Sequence, residues 1–434
     1  MLQIRLFSVE KWRLDQRLWT LIVATFTAYF VFETTSWLSL GSFGLMVIAL
    51  SFAYRRERMV SAWRPLPPWF YAGSIYLAYV AASSTWSADP RSTLLTALVL
   101  AYLIIGMHLI SRQLDHCPTV WLEHITRTIA ITFVFALLYY CIEELTDNGI
   151  KRVLFWPFKA IRVSSDGIAW DRVTSVAISP TTIKWRIPAL TFLLWPVLFI
   201  NSLQLTSHRR LASGVNIAIF GVTGWLVWKS AHTTSQVAFI AALAAFALAS
   251  WHSMTTWRAV ALAWCLSFLL IIPLALLLYR ADLHLDARLA ASTRARLILW
   301  GHTAEQIKLH PFIGVGAAAT KLLDHRGFAE AESKRPGNFA YAIRTGPHAH
   351  NIFLQSWYEL GAIGTLLMIA FGLFALRGMA AFPIMTHAYL IPTVATVGVT
   401  ASASFGLFEP WFMGAFAMCA TTALIALAYS KRLQ

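Results

Sequence analysis

Two stretches hold the residues best suited to chemistry. The first, residues 347–364, places His348 and His350 just before a long apolar run. A histidine at the mouth of a membrane helix, under a basic loop, can accept a proton near neutral pH. Asn351 is positioned to cap the helix that follows. Gly361 and Gly364 permit close helix packing. Glu359 would lie inside the membrane, where an ionisable group is by default functional or paired. Two other readings compete. His350 only bonds the helix end, or His348 and His350, with His325, bind a metal. The metal reading has one His-x-His pair and no Asp-x-Asp or His-Glu-x-x-His pattern behind it.

The second stretch, residues 291–311, has helical spacing through Leu297, Trp300, Ala304, Ile307 and Lys308. Ser292 or Thr293 is expected to cap it, and Pro311 to stop it. Arg296 and Trp300 share a face. The helix is expected at the membrane interface, with Trp300 at headgroup depth. Pro311, Gly314 and Gly316 then allow a tight turn.

These stretches must be positioned by membrane helices. Of 434 residues, 58% are hydrophobic and 13% charged, against about 25% charged in an average soluble domain. The apolar runs are continuous rather than alternating, which favours helices over a β-barrel. Twelve candidate spans centre near 18–34, 38–54, 69–84, 93–110, 125–143, 187–204, 212–229, 236–251, 259–279, 352–375, 387–405 and 410–430. The expectation is an all-α polytopic membrane protein. Residues 1–279 carry nine helices and a loop at about 144–186, residues 280–351 form a long loop with its own helices, and 352–434 carry three more helices. No signal peptide is read at the N-terminus, whose first 17 residues look like a cytoplasmic amphipathic segment. The four cysteines show no paired spacing, so neither a disulfide nor a metal framework is expected.

The net charge of +15 is only partly the usual cytoplasmic excess. Arg55, Arg56, Arg58, Arg64, Arg209, Arg210, Lys431 and Arg432 fall on one side if both termini are cytoplasmic. The two long loops then face outward and are basic as well. Arg152, Arg162, Arg172 and Arg186 lie in the first, and Arg288, Arg296 and Arg344 in the second. They are either solvated, in contact with anionic headgroups, or an anion site, since the planar arginine fork suits phosphate.

The motifs resemble those of the bacterial O-antigen ligases. His350-Asn351, nine residues, Gly361, two residues and Gly364 is the specific match. Arg296-x-x-x-Trp300 with His310-Pro311-x-x-Gly314-x-Gly316 looks like the other half of that superfamily's core. Trp86-Ser87-x-x-Pro90 and Ser179-Pro180 are weaker echoes. Related proteins often carry an arginine in the turn after the seventh helix, where this chain has His232.

The resemblance implies a GT-C-like fold in the bacterial inner membrane, with the active site facing the periplasm. It implies a glycosyltransferase of lipopolysaccharide biosynthesis, moving O-antigen from undecaprenyl diphosphate to the lipid A-core oligosaccharide. The transfer would be inverting and independent of metal and cofactor. His350 would be the base, and Arg296 would act beside it. Arg344, Arg172, Arg152, Arg162, Arg186 and Arg288, with Trp300, His348 and Asn351, would bind diphosphate or glycan. Nucleic acid is not an expected partner. An O-antigen polymerase, for which Arg326 and Gly337 give an Arg-x₁₀-Gly spacing, and a protein O-oligosaccharyltransferase are the close alternatives. A transporter is the alternative of another class. It would place charges deep in the helices, whereas Glu359 is the main deep charge seen here.

Overall fold

The computed structural model describes residues 9–31, 36–52, 66–146, 149–150, 168–170, 176–178, 184, 186–324 and 346–434. The chain is a polytopic helical membrane protein. Its first helices are α1 (Val9–Val31), α2 (Ser36–Phe52), α3 (Pro68–Ala82), α4 (Pro90–His116) and α5 (Thr119–Leu145). Helix α1 begins at Val9, so it takes in half of the segment expected to precede the first span. Two three-residue strands follow, β1 (Ile168–Trp170) and β2 (Val176–Ile178), paired antiparallel. They are a small departure from the all-helical expectation. Next come α6 (Ile187–Gln204), α7 (Arg209–Lys229) and α8 (Thr233–Arg280). After these stand α9 (Ala291–Ile307), α10 (Ile352–Ala380), α11 (Ile384–Ala403) and α12 (Pro410–Leu433).

Eight of these helices are long and apolar enough to cross a membrane, and α1 and α2 contain shorter apolar stretches. Helix α6 is buried at every position from Ile187 to Asn201, so it is apolar on all sides and sits at the centre. Helix α12 packs against it and against α2, α4 and α5. The outer helices turn large apolar side chains such as Leu98, Phe135, Ile217 and Leu366 outward. In a bilayer those faces meet lipid.

Helix α8 has 48 residues and would be about 72 Å long if straight. It is not straight. His252 breaks it with φ −138° and ψ 64°. Both ends return to α9. Tyr279 packs against Gly301, and His232, just before the helix, lies within electrostatic reach of Arg296. Helix α8 is therefore a hairpin, two of the twelve spans read from the sequence. Helix α11 packs along it, with Tyr389 against Phe246 and His387 against Trp257.

Helix α10 is also two helices. Ser356 and Thr365, nine residues apart, bring their hydroxyls within 3.2 Å. In a straight helix they would be about 13.5 Å apart along the axis. The bend is at Gly361, with φ 64° and ψ −166°.

Candidate active site

At the Gly361 bend five backbone groups of α10 pair outside the helix, four of them with a single segment. The amides of Ala362 and Ile363 donate to the carbonyls of Pro311 and Phe312, at 2.8 and 3.1 Å. The carbonyls of Tyr358 and Glu359 accept from the amides of Val315 and Gly316, at 3.1 and 2.9 Å. The Tyr79 hydroxyl donates to the fifth group, the carbonyl of Leu360. Irregular backbone within a membrane protein survives only when its polar groups are paired in this way. The two sequence motifs are thus the two halves of one backbone splice. A Cβ on Gly361 would stand 2.3 Å from the Phe312 carbonyl carbon, and one on Gly314 would stand 2.3 Å from the Glu359 oxygen. Glycine is required at both.

Glu359 locks the splice. Its carboxylate is fully buried and accepts from the amides of Ala318 and Thr320, the Thr320 hydroxyl and the Gln355 side chain. The deep acid noted in the sequence is a structural post. Glu143 is a second buried acid, in α5.

His350 lies at the other end of the short helix 352–360. Asn351 caps that helix, as expected, accepting from the amides of Phe353 and Leu354 at 3.0 Å. The Asn351 side chain also donates to the Ser402 carbonyl at the end of α11. His350 has φ 52°, a region that disfavours side chains and costs of order 1–3 kcal/mol. Such strain is held in place by its surroundings, here the pair of bonds to the end of α11. The Nδ1–H of His350 donates to the Ser404 carbonyl at 2.9 Å. A carbonyl only accepts, so the proton is on Nδ1 and Nε2 keeps its lone pair.

His348 packs against His350, ring centroids 4.1 Å apart and the planes tilted by 55°. Its Nδ1 lies 3.5 Å from a carboxylate oxygen of Glu409, the residue before α12. Burial first, then His348 and Arg296, push the His350 imidazole down to about 4, with the Ser404 carbonyl and Glu409 opposing. His348 is held down to about 4 by burial and by Arg296. Both are neutral near pH 7. Burial pushes the Glu409 carboxyl above its ordinary range, while Lys321 and His350 pull it back.

Arg296 reaches this cluster from α9. Trp300, one turn on, donates its indole N–H to the carbonyl of Ala349 at 2.8 Å. This bond fixes α9 against the His348–His350 approach, and Arg296, one turn earlier, lies within electrostatic reach of both rings. Trp300 is thus half-buried, with its N–H turned to the chain just before His350. The start of α9 also differs from expectation. Its cap is Ala290, with no side-chain bond from Ser292 or Thr293, and the helix ends at Ile307. His232 closes a third side. Its Nδ1 accepts from the Ser235 amide, so its proton is on Nε2, and burial with Lys184 and Arg296 pushes it down to about 4. A neutral N–H donor therefore stands near Arg296 in this turn.

The other sequence candidates divide. Arg186 is buried, its side chain hydrogen-bonded to Tyr139 beside Glu143, so it is engaged inside the protein. Arg288 is exposed and forks onto Asp286, two residues earlier, at 3.0 Å. Arg152, Arg162, Arg172, Arg344, His325, Arg326 and Gly337 lie outside the described residues. Among the described residues no three His, Cys, Asp or Glu side chains gather as a metal site, and the four cysteines are free. Sequence reasoning missed Glu409. Its only signal is an acid preceding Pro410 in the turn between the last two apolar runs.

The site thus pairs a neutral imidazole, lone pair free, with a half-buried guanidinium. Such a pair has the chemistry to take a proton from a hydroxyl beside an anion. Both halves of the splice, Arg296 and His350 fall in one matched region. Residues 197–369 match the O-antigen ligase family. The chain therefore carries the domain of membrane enzymes of the O-antigen ligase/polymerase type, whose substrates are lipid-linked polysaccharides. No curated protein matches the chain. Against the O-antigen ligase background, the His232 turn is the departure. It offers an uncharged donor at a position where the superfamily often has a fixed charge.

Proposed function

We propose that this chain is an O-antigen ligase. It transfers O-antigen polysaccharide from undecaprenyl diphosphate to the lipid A-core oligosaccharide, at the periplasmic face of the inner membrane. The observation that carries the reading is His350. Its Nδ1–H is held by the Ser404 carbonyl, which frees Nε2, and Arg296 stands within electrostatic reach.

The chemistry follows from those two groups. Nε2 of His350 takes the proton from an acceptor hydroxyl as that oxygen attacks the anomeric carbon. The bond from that carbon to the diphosphate oxygen breaks, and the diphosphate leaves with its electron pair. Attack opposite the leaving group inverts the centre. Arg296, with the N–H of His232, meets the developing negative charge, the kind of fixed electrostatic stabilisation worth about 3–4 kcal/mol per donor. His350 ends protonated, and Glu409 offsets that charge through the adjacent ring of His348.

The ligase reading is tested by product identity. Purified protein in vesicles is given undecaprenyl-diphosphate glycan with lipid A-core. A glycan-bearing lipid A-core supports it. Growth of the glycan on its own carrier, with lipid A-core untouched, assigns the chain to the polymerases instead.

A further inference from the structure

From the end of α9 into the splice the chain exposes six consecutive residues, Lys308–Ile313. Three are large and apolar: Leu309 is 66% exposed, Phe312 71% and Ile313 41%. A tip of this kind on a water-facing loop would be a liability. It is also rigid. The carbonyls of Pro311 and Phe312 are bonded to α10, that of His310 accepts from Gly314, and that of Ile313 accepts from the Trp86 indole at 3.2 Å.

Those bonds fix where the tip stands. Ile363, which donates to Phe312, is 44% exposed, and Leu366, one turn on, is 61% exposed. Both lie on the apolar run of α10, which carries no charge from Ala362 to Leu376. Helix α3 runs beside that run, with Gly73 against Phe371 and Tyr79 against Gly364, so the bend sits level with the end of α3. Helix α3 turns Tyr71 and Ile75 outward too. The exposed face of Leu309, Phe312 and Ile313 therefore continues the lipid-facing surface of α10 at its edge. Trp86 and Tyr79, which both donate to the Ile313 carbonyl, are the amphipathic rings favoured at a membrane–water boundary.

We infer that Leu309–Ile313 is a membrane wedge, seated among the acyl chains of the bilayer leaflet on the active-site side. Continuity with the lipid-facing surface selects lipid over a protein partner. Because the wedge joins the helix of Arg296 to the splice that carries His350, its depth sets the height of the site above the leaflet. The wedge itself does not depend on which reaction the site performs.

Photo-crosslinking reads the depth directly. A diazirine amino acid replaces Phe312, and separately Leu309 and Arg288, in full-length protein in phosphatidylethanolamine–phosphatidylglycerol vesicles. Mass spectrometry then identifies the adducts. Lipid adducts at 312 and 309, with water adducts at exposed Arg288, are expected. Water adducts at 312 and 309, or crosslinks to a second protein chain, would overturn the inference. Should the Phe312 replacement fail to insert, the Leu309 position decides alone.

Discussion

The Nδ1 of His350 lies 2.9 Å from the carbonyl oxygen of Ser404, and this bond decides which ring nitrogen can act as a base. The proton is held on the side facing the end of α11. Nε2 is left as the only basic atom of the ring. The arrangement has a pH signature.

His350 is held down to about 4, chiefly by burial and then by His348 and Arg296, with Glu409 and Ser404 opposing. A base works only when deprotonated, so its activity rises with pH through that value and is level above it. An unshifted histidine would lose activity below about pH 6.5. Initial transfer rates from pH 8 down to pH 5.5 are expected to stay level on the His350 limb. A half-loss near pH 6.5 would show that the ring is not held neutral as described.

Arg296→Lys is expected to lower transfer by roughly 10²-fold, because an ammonium keeps the charge but loses the planar fork. Arg296→Ala should lose more and also move the acid limb upward, since Arg296 depresses both His348 and His350. A drop in rate with an unmoved limb would separate Arg296 from the histidines.

Glu409→Gln removes the only carboxylate placed against the histidine pair among the described residues. Transfer should fall about tenfold, the rate equivalent of one pKa unit of charge stabilisation. Glu409→Asp should restore part of it. Equal rates for Gln and wild type would reduce Glu409 to a packing role.

Glu359→Ala leaves four buried donors without their acceptor. Each unpaired donor costs about 1–3 kcal/mol, so a loss of several kcal/mol is expected after relaxation. The check is the detergent-solubilised melting temperature, which should fall by well over 5 °C. A small change would mean that the splice holds without its post.

Much of this was legible in sequence because the signals are local. The apolar runs give the helices, and Asn351 before Ile352 gives its cap. The glycine spacings mark a close approach, but not its partner. Gly314 and Glu359 meet across 44 intervening positions, and periodicity carries no such information. Glu409 is the same case. Its neighbour His348 is distant in sequence, and the acid itself has no motif. Arg186 and Arg288 are the converse case. Counting basic residues in a loop cannot see that one is buried against Tyr139 and the other is taken by Asp286. The α9 cap failed because Ser292 and Thr293 lie inside the helix, one and two residues past its first residue.

The most direct measurement of the proposed role of His350 is glycan transfer by His350→Ala protein in vesicles, beside a thermal melt of the same preparation. A general base contributes about 10²–10⁴-fold. The expected result is a loss of at least about 10²-fold in transfer with melting little changed. Transfer at the wild-type rate by a folded His350→Ala protein would contradict it.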